Sequence, residues 1–314
     1  MHEHPTLPIY SERYGTTEDG QEVRRFVLTN GGLQIAVIEY GAIVEDLVLL
    51  SSQKRYSLCQ RLESLESYEA DTTCVGAMVG PFVDYEALTK QVGPNAKDGH
   101  GQTLDDLAGG VEGFHRMVWQ GREVVDFRGP CVELETVHEP GMHDYAGNLY
   151  VRVRFILAAD ATCHIEYEAL CDDDRPINFT HHCYWGLPPA LEAPNYNSEL
   201  GLNTLPPRTY TSQAVSKGFE PSLTGDAQRN QVFFEVRENQ MSALGYLGHG
   251  ALMLYVDSDQ AAMYLDASLR SDGDFPFVCL APFATAYDAD RPCPFVLEPA
   301  RLFRQKCLIR VVAT

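Results

Sequence analysis

The stretch "NLYVRVRFILAADATCHIEYEAL", Asn148 to Leu170, reads as two strands joined by a turn. In its first half Leu149, Val151, Val153 and Phe155 alternate with Tyr150, Arg152 and Arg154. In its second half Ile165, Tyr167 and Ala169 alternate with His164, Glu166 and Glu168. Successive side chains of a strand point to opposite faces, so each half carries one face made for a core and one made for water. The intervening "AADAT" supplies small, turn-forming residues.

The same reading extends to both ends of the chain. "LQIAVIEYGAIVEDLVLL", Leu33 to Leu50, is rich in β-branched residues and interrupted by Gly41, which suits two strands around a bend. "KCLIRVVAT", at the C-terminus, reads as a closing strand. Helical spacing is sparse: "RYSLCQRLESLESYEA" has room for one short helix, and no segment sustains an i, i+3, i+4, i+7 pattern. Pro- and Gly-containing turns recur without a low-complexity linker or a fixed repeat. These features predict an all-β protein, with residues 1–314 forming one domain.

Composition narrows the function. With 45% hydrophobic and 22% charged residues the chain can bury a large core. Its 24 Lys+Arg against 44 Asp+Glu leave a formal charge of -20, which repels phosphate backbones and anionic lipid surfaces. Nucleic acid and membrane are therefore excluded as expected partners. No stretch approaches the roughly 20 apolar residues of a membrane span, and the N-terminus lacks a basic segment before an apolar core. The nine cysteines are scattered and contain no CxxC pair, as expected of reduced thiols in a cytoplasmic protein.

The densest chemistry lies in "NFTHHCYWGL", Asn178 to Leu187. On a strand, Asn178, Thr180, His182 and Tyr184 share one face, whereas Phe179, His181, Cys183 and Trp185 share the other. The adjacent histidines then point apart, which argues against a metal centre, because metal ligands must converge. His115 and His143-Asp144 lie too far along the chain for their spacing to assign them to one. No metal and no cofactor is expected. An imidazole in polar company is either a satisfied core group or a proton-transfer group, since its ordinary pKa lies near 6.5.

A partner carboxylate must come from elsewhere, and Glu298 in "CPFVLEPARLF" is the candidate: an apolar run leads into it and Pro299 ends the run. "LAGGVEGFHRMVW", Leu107 to Trp119, has turn glycines but neither a GxGxxG nor a Walker pattern, so nucleotide binding is set aside. GxSxG is absent, and Cys183 and His182 fall on opposite faces.

In this context the chain resembles the galactose mutarotase (aldose 1-epimerase) family from about Phe26 onward. "LTNGGLQIAVIEYGAIVEDLVL" is similar to that family's first strands, "VGAMVG" to the lead into its Asn-Arg segment, and "LAGGVEGFHRMVW" to its Leu-His-Gly-Gly signature. "NFTHHCYWGL" resembles its Asn-Leu-Thr-Asn-His-Ser-Tyr-Phe-Asn-Leu strand, and "FVLEP" the surroundings of its catalytic glutamate. The resemblance implies a large antiparallel β-sandwich, the galactose mutarotase-like supersandwich, with a sugar-sized cleft.

It also implies His182 as the general acid at the ring oxygen and Glu298 as the general base at the anomeric hydroxyl. Asp84, Tyr85, His115, Asn178, Tyr184 and Cys279 would be the substrate contacts. The chain departs from the family where "PFVDYEA" replaces the arginine and Ala108 a histidine. The family's sugar-holding aspartate has no clear counterpart, Asn230 or His249 being the nearest stand-ins.

Three functions fit these residues. The first is an aldose 1-epimerase with an altered sugar preference, as monomer or homodimer. The second is an isomerase, cyclase or lyase that applies the same acid–base pair to another small molecule. The third is a carbohydrate-binding module without catalysis.

Overall fold

The structure, a computed structural model, describes residues 8–51, 54–83, 108–187, 199–202, 208–211, 231–235, 241–249, 252–260, 262–266, 277–283 and 295–313. Every pairing between its strands is antiparallel.

The predicted hairpin is its centre. Leu149–Leu157 pairs with Thr162–Cys171, and Ala158 and Thr162 close the connection at 2.9 Å. On either side the sheet continues to nine strands. Outward from the first strand come Gly129–His138 and Gln120–Asp126. Outward from the second come Phe303–Ala313, Leu252–Ser258, Ser242–His249, Glu199–Leu202 and Arg208–Thr211. The closing strand expected at the C-terminus is thus an interior strand of the largest sheet.

A five-stranded sheet, Ile9–Thr16, Glu22–Asn30, Leu33–Ile38, Val44–Leu50 and Arg55–Ser57, packs against it. The expected bend falls at Gly41 (φ +62°) and Ala42 (φ +46°). A Cβ at Gly41 would lie 2.7 Å from the carbonyl oxygen of His115, so both conformation and space require glycine. The expected short helix is Leu65–Ala70, capped by the Ser64 side chain on the Ser67 N–H. No helix among the described residues is long and apolar enough to cross a membrane.

The two faces of the large sheet differ as the alternation predicts. Val151, Val153, Phe155, Ile165 and Tyr167 join one core with Phe26, Leu28, Ile35 and Val37 of the smaller sheet. The other face carries ion pairs: Glu133, fully buried, meets Arg122, Arg152 (3.5 Å) and Arg154 (2.5 Å). The eight described cysteines are unbridged and buried.

Candidate active site

The segment Thr180–Trp185 runs between two backbones. On one side Thr180 pairs with Val79 and His181 with Met78. There the His182 N–H donates to the carbonyl of Ala77 at 2.8 Å, and its own carbonyl accepts from the N–H of Gly76 at 2.9 Å. On the other side Tyr184 pairs with Cys279 and Trp185 with Val278 of the strand Val278–Phe283. That strand continues through Ala262–Asp266 to Gln231–Glu235.

Period-two alternation divides the segment as the sequence predicts. Phe179, Cys183 and Trp185 enter the main core. His181 also points there, its Nδ1 2.8 Å from the Tyr167 hydroxyl and its Nε2 2.8 Å from the Ala42 carbonyl. Burial pushes its pKa down to about 4, so it is a neutral structural group at physiological pH.

Tyr184 points to a second cluster, shared with Val75, Ala77, Val79, Val83, Ala108, Cys279 and Ala281. The His182 ring stands edge-on to Tyr184 at 5.0 Å, and only 1% of the residue is exposed. Asn178 and Thr180, both buried, present Oδ1 and Oγ1 without a hydrogen-bond partner. Buried acceptors of this kind cost free energy until a donor reaches them, which makes the strip suited to a hydroxyl-bearing ligand.

The substrate contacts expected from sequence are only partly gathered. Cys279 flanks Tyr184 through the strand pairing, and Asn178 precedes the same strand face. His115 is buried in the loop after Gly113, where its ring fills the space a Cβ at Gly113 would need (2.4 Å). Asp84, Tyr85 and Asn230, and the side chain of His249, lie outside the described residues.

Glu298 lies at the surface. It follows the strand Phe295–Leu297, whose Leu297 pairs with Arg175, seven residues before His182 along a largely extended segment. The Glu298 side chain is 66% exposed and forms its ion pair with Arg301 at 3.7 Å. The apolar run before it forms a two-stranded ladder of three residue pairs, Phe295–Leu297 with Arg175–Ile177.

Continuing the Tyr184–Cys279 register by two residues sets Ala281, a buried residue, across from His182. Sequence inspection gave no reason to single out Ala281, because which residue faces His182 depends on strand pairing across roughly a hundred residues. Likewise His143, noticed in the sequence only as a metal candidate, is half-buried and hydrogen-bonds to His138, which in turn accepts from the buried Arg175.

The family model for aldose 1-epimerase matches residues 24–214. An aldose 1-epimerase of Escherichia coli (strain K12) is 27% identical over 183 residues, covering 57% of this chain and 52% of that protein. A galactose mutarotase of Bos taurus is 28% identical over 172 residues, covering 52% and 48%. Among solved structures, a galactose 1-epimerase from Lactobacillus acidophilus NCFM superposes with a TM-score of 0.73 at 20% identity, over 98% of this chain and 99% of that one.

The fold is thus that of the galactose mutarotase-like proteins, and the chain belongs to the aldose 1-epimerase family. Its matches span about half the length of the curated relatives. The family match includes His115, Asn178, His182 and Tyr184 and ends before Cys279 and Glu298.

Proposed function

We propose that this chain interconverts the anomers of a sugar, with His182 exchanging a proton at the ring oxygen. Protonating that oxygen while the anomeric hydroxyl gives its proton to solvent water opens the ring. Rotation about the first carbon–carbon bond and reclosure from the other side give the opposite anomer. The observation that carries this reading is the shared face of the His182 strand, where a buried imidazole lies beside Tyr184 and follows two acceptors lacking partners. Such a face can hold hydroxyl groups and move a proton among them. Membership in the family supports the same chemistry. The setting proposed for this reaction is the cytoplasm, and no nucleic acid or membrane takes part.

Glu298, exposed and bonded to Arg301, is proposed as a surface group, and proton removal from the anomeric hydroxyl does not run through it. The small apolar neighbours Ala281, Cys279 and Ala108 favour an altered sugar preference over the grip of a guanidinium and a second imidazole.

Polarimetry of freshly dissolved α-glucose, α-galactose and a panel of other aldoses tests the proposal. The expected result is acceleration over buffer for at least one sugar. His182→Asn should reduce the rate by about 10²–10⁴-fold, the usual contribution of an acid–base group. Glu298→Gln should leave the rate within about twofold, since an exposed ion pair contributes little. A wild-type protein that accelerates none of these sugars sinks the catalytic reading.

A second reading, sugar binding without turnover, draws on the surface position of Glu298 and on Ala281 across from His182. Calorimetric binding of a sugar whose anomers equilibrate at the buffer rate would select it.

A further inference from the structure

A chain of hydrogen bonds, buried at Arg175 and His138 and half-buried at His143, connects a guanidinium to the loop that bears His115. Arg175, buried at the start of the strand Arg175–Ile177, donates from Nη2 to Nδ1 of His138, the last residue of Gly129–His138. Nε2 of His138 lies 3.0 Å from Nδ1 of His143, and Nε2 of His143 lies 2.8 Å from the carbonyl oxygen of Gly109. The two imidazoles are nearly parallel, 12° apart, with centroids at 5.0 Å. His143 also donates its backbone N–H to Oε2 of Glu112 at 2.7 Å.

The direction of each bond is fixed from one end. A guanidinium only donates and keeps its charge, so Nδ1 of His138 must accept. His138 then carries its proton on Nε2 and donates to His143. His143 in turn carries its proton on Nε2 and donates to Gly109. Neither ring has room for a second proton: one on His138 Nδ1 would face the Arg175 N–H, and one on His143 Nδ1 would face the His138 N–H. Burial, Arg175 and His143 push His138 down to about 4.

Among the described residues, a small set of other groups surrounds the pair. Arg175 lies over the Tyr145 ring at 4.3 Å and donates to the Gly147 carbonyl at 3.1 Å. Glu112 approaches Nε2 of His143 at 3.9 Å, and Asp144 follows His143 in the chain. The Phe114 ring stands edge-on to His138 at 6.1 Å. On His138, Arg175 opposes a proton from inside the fold, whereas Glu112 favours one.

What the relay holds is a wall of the site. Gly109 and Gly110 take positive φ, +109° and +54°, and lead through Glu112 and Phe114 to His115. Ala108 belongs to the cluster that contains Tyr184 and Cys279. The loop amides are hydrogen-bonded, Gly113 to Gly110 at 3.1 Å and Phe114 to Gly80 at 2.9 Å.

We propose that His138 and His143 are positioning residues for this site: their relay from Arg175 pins residues 108–117 while the His138 ring is neutral and releases them when acid protonates it. That release alters turnover rests on the anomer-interconversion reading, whereas the release itself does not.

Hydrogen exchange of the full chain between pH 8 and pH 4, corrected for the intrinsic rate and read on peptides covering 108–117, tests the relay. Peptides from 149–157 report whether the fold is intact. The wild-type loop should exchange about tenfold faster at pH 4 than at pH 7.5 while the strand stays protected. His143→Ala should exchange rapidly at every pH. His143→Gln, whose amide can accept from His138 and donate to Gly109, should keep the protection seen at pH 7.5.

Loop exchange that does not change with pH in the wild type would overturn the proposal, as would a His143→Ala loop as protected as the wild-type one. Should His143→Ala not fold, the wild-type acid series and His143→Gln decide. Polarimetry on the same samples separates the two ideas. A released loop without any sugar turnover rejects the catalytic reading and leaves the relay standing; turnover with a pH-independent loop does the reverse.

Discussion

Gly76 shows how closely one residue can govern the site. Its φ is +70°, and a Cβ there would lie 2.4 Å from the Val44 carbonyl oxygen. Its N–H also holds the His182 carbonyl. Gly76→Ala should therefore cost about 2–4 kcal/mol in a denaturant titration, and should disturb His182 in what remains folded. Thr180 makes the opposite case. Its buried hydroxyl has no partner, so Thr180→Val should leave the free protein equally stable or more stable by about 1 kcal/mol. The same substitution should weaken sugar binding, which calorimetry on both proteins would measure; unchanged affinity would remove Thr180 from the site. At this scale much was legible, because a period of two assigns His181 and His182 to opposite faces without knowledge of what lies beyond each.

At the scale of elements, the decisive fact is which strand lies beside Thr180–Trp185. The Tyr184–Cys279 pairing, continued by two residues, points Ala281 toward His182, while Glu298 follows a short ladder with Arg175–Ile177 at the surface. Ala281→Glu would place a carboxylate beside the imidazole, at a cost in stability because it enters an apolar cluster. Its expected effect is a rise in sugar turnover of about tenfold or more, toward the contribution of one proton-transfer group. No change in polarimetric rate, in a variant shown to fold, would mean that the reacting hydroxyl does not lie between these strands. The existence of both strands could be read from apolar runs in the sequence. Their order in the sheets could not, since the residues that pair are far apart in the chain and many registers satisfy the same alternation.

For the whole molecule, acid acts through buried groups of both kinds. His181 and His138 are held down to about 4 by burial, whereas in the unfolded chain they take protons near 6.5. Between those values the unfolded state binds more protons, so stability falls as pH falls, by up to about 1.4 kcal/mol per unit for each histidine. Glu133 extends the loss downward: burial raises its pKa, but hydrogen bonds from Arg154 and Arg122 outweigh this and hold it low. Its contribution is present above the unfolded glutamate pKa and disappears as pH drops through the lower folded value. Thermal melts from pH 7 to pH 4 should show a steady decline in Tm, and His181→Gln should flatten it between pH 6.5 and 4. A Tm constant across that range would show that neither imidazole is kept neutral by the fold.

The sequence by itself determined the strand content, the faces of each strand, the bend at Gly41 and the family, because each depends on local alternation, backbone freedom or short motifs. It also marked His182 as the residue whose face is polar. Only the tertiary structure decided its company: Tyr184 with the cluster that contains Ala281, Glu298 at the surface, and His143 bonded between His138 and the Gly109 carbonyl. Those choices rest on pairing between distant segments, where burial and register, not local preference, determine which side chains meet.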